Sequence, residues 1–205
     1  AMPAQFGTVF RSFVRKDPNN NLGVQLYLIT RNSIGNLTIP SGVVKNNIES
    51  YIKRFRSFSD TVKISPGRIV NISVEFTIVP EPTANGQQAL MECILLLQRF
   101  FDTARSNFND NIVISDAASR LQSLRKVMSV PKLRINNRVA TVDGRGYSGT
   151  QFDVNANTRS GILKFPQDVV WELKYPNFDI IGQTADQSTA AAQGGAGGGG
   201  GAGGY

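Results

Sequence analysis

Between a Pro66-Gly67 turn and Pro80 the chain reads RIVNISVEFTIVP, in which Ile72, Val74, Phe76 and Ile78 alternate with Asn71, Ser73, Glu75 and Thr77. Successive side chains of a strand point to opposite faces, so this alternation puts large apolar groups on one face and polar groups on the other. Such a strand needs a cover for its apolar face. The next segment supplies one. After a break over residues 82–86, residues 87–102 predict a long helix whose Leu90, Ile94, Leu97 and Phe101 form a stripe, widened by Cys93, Leu96 and Phe100. So broad a stripe implies burial on two sides.

The same alternation of periods recurs on either side. FGTVFRSFV and LGVQLYLIT read as strands separated by a DPNNN turn. VVKNNIESYIKRF then predicts a helix burying Val44, Ile48, Tyr51, Ile52 and Phe55, with Ser41 as its cap. Beyond the long helix, an Asn/Asp-rich loop, RSNFNDN, leads to IVISDAASRLQSLRKVM. There Ser115 is the expected cap of a helix burying Ala118, Leu121 and Leu124, and KLRIN follows as a short strand. With 205 residues, 40% of them hydrophobic, the chain can bury one sizeable core or two small ones. The reading is α+β: small mixed or antiparallel sheets with helices packed on one face, followed by a long extended arm. The expected divisions are a strand-strand-helix part over 1–65, a strand-helix-helix-strand part over 66–136, an arm with short strands over 137–185 and a Gly/Ala-rich tail over 186–205.

The arm carries the strongest functional signal. It is rich in Gly, Asn and Asp, lacks a helical period and still holds many large apolar side chains. A loop of this length inside a compact domain calls for a role. Two roles fit. In one, the arm crosses its own domain and VVWELKY pairs locally as an edge strand; in the other, it docks on another chain. The candidate partner interface is Tyr147, Phe152, Phe165, Trp171, Tyr175, Pro176, Phe178 and Ile180. Pro176 is expected to hold the arm extended, and Glu172 and Lys174 to lie on a wet face.

Residue counts exclude several chemistries. Without histidine there is no Ser-His-Asp or Cys-His pair, no His-bearing zinc site and no imidazole base. The single cysteine, Cys93, forms no internal disulfide and reads as a small buried hydrophobe in the helix stripe. No acidic pair stands at a recognisable catalytic or calcium-loop spacing, so neither a cofactor nor a metal is expected. The longest apolar run, ALMECILLLQRFF, is interrupted by Glu92 and Gln98 and falls short of the ~20 residues of a membrane span. A net charge of +7 favours acidic partners, and a basic nucleic-acid-binding module is the alternative reading. The basic residues, however, come in twos and threes on the polar sides of helices, as solvated helix faces do. The Ala1-Met2 start is expected to be an internal point of a longer protein. The tail composition is that of flexible coil or of backbone held closely by neighbours.

The order IVNISVEFTIVPEPTANGQQALMECILLLQRFFDTARSNFNDNIVISDAASRLQSLRKVMSVPKLRI, then YSGTQFDVNANTRSGILKFP, then VVWELKYPNFDIIG resembles the C-terminal part of the large baseplate wedge protein of contractile-tailed bacteriophages, the baseplate J-like family. The resemblance runs from about Phe6 to Gly182. The larger N-terminal part of such proteins and the glycine-rich tail fall outside it. It implies a non-enzymatic virion subunit of the inner baseplate, assembled in the host bacterial cytoplasm and present as two copies per wedge in a sixfold ring around the central hub. The implied partners are other copies of the same chain, through dimer and ring contacts, and other wedge and hub proteins. No membrane is implied. The C-terminal region would make the contacts between copies.

Overall fold

The computed structural model describes residues 9–55 and 61–185. The expected start of the first strand at Phe6, the Ala1 start and the glycine-rich tail lie outside these residues. In chain order the elements are β1 (Val9–Asp17), β2 (Asn20–Arg31), β3 (Leu37–Thr38), α1 (Gly42–Lys53), β4 (Thr61–Pro66), β5 (Arg68–Pro80) and α2 (Gly86–Phe100). Then come β6 (Ile112–Val113), α3 (Ile114–Gln122), β7 (Val127–Arg138), β8 (Thr141–Val142) and β9 (Arg145–Gly146). The chain closes with α4 (Val154–Asn157), β10 (Thr158–Arg159), β11 (Ile162–Leu163), β12 (Val169–Glu172), α5 (Pro176–Asp179) and β13 (Ile180–Thr184). The fold is α+β, with mixed sheets.

Two compact units share the described residues, and each is built from separated segments: residues 9–55, 61–72, 101–112 and 137–174 form the first, and residues 73–100, 113–136 and 175–185 the second. This grouping differs from a sequential division at 65/66 and 136/137. The reason is β5. Its first part pairs in parallel with β12, from Val169 on Arg68 to Glu172 on Asn71, within the first unit. Its second part pairs in parallel with β13, from Ile180 on Val74 to Thr184 on Ile78, within the second. The segment whose sequence fits both local edge pairing and docking on another chain thus pairs within its own chain, with a partner about a hundred residues away.

In the first unit β2 is central. β1 and β3 pair with it antiparallel and β4 in parallel. α1 covers one face, setting Ile48 against Leu26 and Leu28. Ser41 caps α1 as expected, its hydroxyl accepting from the Val44 N–H at 3.4 Å. Phe55 does not join this core and is 74% exposed, because the helix ends at Lys53 and the following residues leave the helical period. The other sheet face carries Tyr27, Ile29, Leu37, Ile69, Phe108 and Val170. Gly67 makes this packing possible: a Cβ there would lie 2.6 Å from Phe108 Cε1 and 2.8 Å from Ile29 Cγ1.

In the second unit β5 contributes Val74, Phe76 and Ile78, all at most 1% exposed. The long helix is present, but its buried line is Ala89, Cys93 and Leu97, with Leu90 and Ile94 half-buried beside it. Small residues at the centre bring the helix close, and the larger ones fill its flanks. Leu90 reaches Gly182 of β13, where an added Cβ would lie 2.6 Å from Leu90 Cδ1 and 2.5 Å from Phe76 Cζ. Leu96 and Phe100 at the edges of the stripe are half-buried, and Met91 and Leu95, outside it, are exposed. α3 begins at Ile114 with Val113 at the cap position and no side-chain cap bond, so Ser115 lies inside the helix. The strand β6 feeds straight into the helix, which starts two residues earlier and buries Ala117 instead of Ala118, with Leu121 as expected. The polar face of β5 also departs from expectation, since Asn71 in the first unit and Ser73 in the second are fully buried.

Phe76→Ala should lower stability by about 3–5 kcal/mol through lost burial and the cavity left behind. Met91→Ala, on the exposed side of α2, should change it by less than about 0.5 kcal/mol. Urea denaturation of both variants checks the helix orientation, which is wrong if the two costs are alike.

Candidate functional site

The aromatic arm enters the first unit through β12. Parallel pairing with β5 draws Val169, Val170, Trp171 and Glu172 into the interior, and all four are at most 5% exposed or, for Glu172, 1%. Trp171 meets Phe101 edge-on, with ring centroids 6.2 Å apart at 83°. Thr103 fastens the next residue, its hydroxyl accepting from the Leu173 N–H at 3.2 Å. Arg68 and Asp168 close the entrance with two parallel hydrogen bonds of 2.7 and 2.9 Å, and Arg68 holds the Asp168 carboxyl below the ordinary carboxylate range.

Glu172 is not on a wet face. Its carboxylate accepts from the Leu37 N–H at 2.6 Å and from the Asn71 side-chain amide at 2.7 Å. Asn71 is itself held: its Oδ1 accepts from the Ser148 N–H at 2.6 Å and its carbonyl from Asn137 Nδ2 at 3.0 Å. Asn137 Oδ1 in turn accepts from the Phe152 N–H, and the Ser148 hydroxyl donates to the Ile69 carbonyl at 2.6 Å. This chain of buried and half-buried polar groups ties β3, β5, the end of β7, the 148–152 loop and β12 together. Burial pushes the Glu172 carboxyl up, while the Leu37 and Asn71 hydrogen bonds, followed by Lys174 and Arg31, pull it down; the net direction is upward. The sequence signal was a lone carboxylate inside VVWEL matched by a lone amide inside RIVNISV.

The eight candidate interface residues divide by burial. Within the first unit Phe165 and Trp171 are buried, Tyr147 and Phe152 half-buried, and Phe152 stacks on Phe165 at 5.0 Å and 19°. Within the second unit Ile180 is buried, Tyr175 half-buried, and Pro176 and Phe178 exposed. Pro176 does not prolong an extended arm; it occupies the first position of the single helical turn α5. The buried Asp179 carboxylate accepts from the Tyr175 N–H at 2.9 Å, and Gln98 donates to Asn177 Oδ1 at 2.9 Å. This pinned turn presents Phe178, 54% exposed, and Ile181 on β13, 39% exposed, to the surface. Ile181 carries no sequence signal that separates it from the buried Ile180; only the strand's alternation of faces turns it outward.

Cys93 and the arginines around Phe10 serve packing. Burial, then Glu92, pushes the Cys93 thiol up to about 11, which leaves it protonated near neutral pH. Phe10 lies under two guanidiniums, Arg31 at 3.6 Å and Arg11 at 4.0 Å from its ring centre. Among the described residues no group of three or more Cys, Asp or Glu stands together to hold a metal ion, and no helix is long and apolar enough to cross a membrane.

No family model and no curated protein matches the sequence. Among solved structures, a chain in a cryo-EM structure of the anti-feeding prophage (AFP) baseplate, 6-fold symmetrised, is similar at 11% identity and a TM-score of 0.48. The match covers 80% of this chain and 33% of that one, so this chain spans about a third of its length. Identity this low transfers neither activity nor partners.

Glu172→Ala should destabilise the protein by about 2–5 kcal/mol, since two buried donors each lose a partner worth about 1–3 kcal/mol. Glu172→Gln, which does not titrate, isolates the pH dependence. A folded-state pKa raised above the ordinary value of 4.5 means that the folded chain takes up the proton first. The parent should therefore gain stability relative to Glu172→Gln as pH falls from neutrality towards 4.5, measured by urea denaturation across that range. A flat difference would show that the carboxylate is not strained by burial.

Proposed function

We propose that this chain is a non-enzymatic structural subunit of a phage tail baseplate, a wedge component of the inner ring, whose C-terminal region makes contacts between copies around the hub. The observation that carries the reading is the sequence resemblance from IVNISVEF through ELKYPNFDIIG. The absence of histidine from the sequence agrees with a role without acid–base chemistry at neutral pH. The proposed partners are other copies of this chain and other wedge and hub proteins, and the proposed location is the virion tail.

Burial refines which residues would make the contact. Phe165, Trp171 and Ile180 serve the chain's own core, and Tyr147, Phe152 and Tyr175 contribute only part of their surface. Pro176 and Phe178, joined by Ile181, are the apolar groups of the closing segment that stand in water, and they are the proposed anchors. The basic surplus favours a second reading, a nucleic-acid-binding module. Several of its cations are already engaged, with Lys53, Arg68, Arg120, Lys126 and Lys132 in ion pairs and Arg11 and Arg31 stacked on Phe10.

Sedimentation velocity of the parent, Phe178→Asp and Ile181→Asp tests the contact. The parent should form dimers or larger rings, and both variants should sediment as folded monomers. Trp171→Ala should instead cost about 3–5 kcal/mol of stability. A monomeric parent, or variants that assemble as the parent does, would overturn the contact. Salt-sensitive binding to random DNA would favour the second reading, because neutralised phosphates release counterions.

A further inference from the structure

At the C-terminal end of α1 lies an open groove of about 690 Å³, within the ~300–1,000 Å³ typical of ligand sites. Its floor is a row across three strands: Lys16 of β1 sits opposite Val24 of β2, and Val24 opposite Val62 of β4. One wall is Tyr51 and Phe55, whose rings pack 4.9 Å apart. Two large apolar groups at this groove stand bare, Leu22 at 64% and Phe55 at 74% exposed. Neither contributes to the clusters that hold the first unit together. Lys16 is the charged residue among the described lining, and no described acidic residue lines the groove. An exposed lysine beside apolar lining is suited to an anion that arrives attached to an apolar body.

We infer that this groove docks a short extended segment of a partner protein, one that places large apolar side chains against Leu22, Val24 and Phe55 and a carboxylate against Lys16. Charge complementarity identifies the occupant: among the described lining residues Lys16 is the one cation and no acid stands, on a chain of net charge +7. The open side decides between a peptide and a small molecule. A small ligand is held by burying most of its surface, which an open groove does not do, whereas a peptide is anchored by one or two side chains and continues beyond. The inference does not rest on the contact proposed for Phe178 and Ile181, which lie in the other unit.

Fluorescence anisotropy with two labelled peptides tests it, one containing Leu-Phe-Asp-Glu-Phe and the other with both acids replaced by lysine. The acidic peptide should bind at least ~10-fold more tightly, a difference of about 1.4 kcal/mol. Lys16→Glu should invert that preference. Leu22→Ser combined with Phe55→Ser should weaken the acidic peptide at least ~10-fold with an unchanged Tm, since both residues are already exposed. Equal binding of the two peptides, or a preference that survives Lys16→Glu, would overturn the inference. So would a lower Tm for the double variant, which would mean that the chain fills the groove itself. Displacement of the acidic peptide by a thymidine oligonucleotide would assign the site to nucleic acid and equally overturn it. Self-association is read separately, so failure here leaves the contact at Phe178 standing or falling on its own measurement.

Discussion

The Glu172 carboxylate is the group on which the first unit turns. A buried carboxylate is tolerated only where hydrogen bonds replace its water, and here Leu37 and Asn71 supply them. Meeting that requirement orders the neighbours in turn. Asn71 can offer its amide nitrogen to Glu172 only because Ser148 donates to its oxygen, and Ser148 is held by the Ile69 carbonyl. Each residue in this series has one orientation that leaves no donor facing a donor. The register of β12 on β5 and the path of the 148–152 loop are thereby specified together. An apolar core alone would define such a register less sharply, because apolar contacts have no direction.

The second unit achieves its specificity by steric fit. Gly182 allows β13 to run beneath both Phe76 and Leu90, and Ala89 and Cys93 form the centre of the buried side of α2. A larger residue at position 182 would have to displace a ring and a leucine at once. The same close packing leaves the far side of the helix bare at Met91 and Leu95, and the α5 turn bare at Phe178.

Local periodicity made much of the architecture legible from the sequence. The alternation through Arg68–Pro80, the helix after it, the Ser41 cap and the burial of Cys93 depend on neighbours within a few residues, and all are present. Near misses came where local signals compete. Phe55 matches the helical period but lies beyond the last helical turn, and Ser115 has cap chemistry but is preceded by a strand that begins the helix sooner. Pro176 is compatible with an extended arm or with the first position of a helix, and the Asp179 carboxylate bonded to the Tyr175 N–H accompanies the second.

The sequence by itself therefore determined the class of this protein, its longer strands and helices up to β7, a chain without histidine and an arm rich in apolar groups, but not the strand β4 or the short helices α4 and α5. Tertiary structure alone decided where that arm goes. Its β12 and β13 pair with β5 across about a hundred residues, a choice made by sheet edges and cavities that no local period encodes. The same choice buried Glu172, which alternation had placed in solvent, and left Phe178 and Ile181 exposed where composition made every apolar residue of the arm look equivalent. The physical reason is that a strand's period tells which side chains share a face, whereas which face is wet depends on what the rest of the chain brings to it.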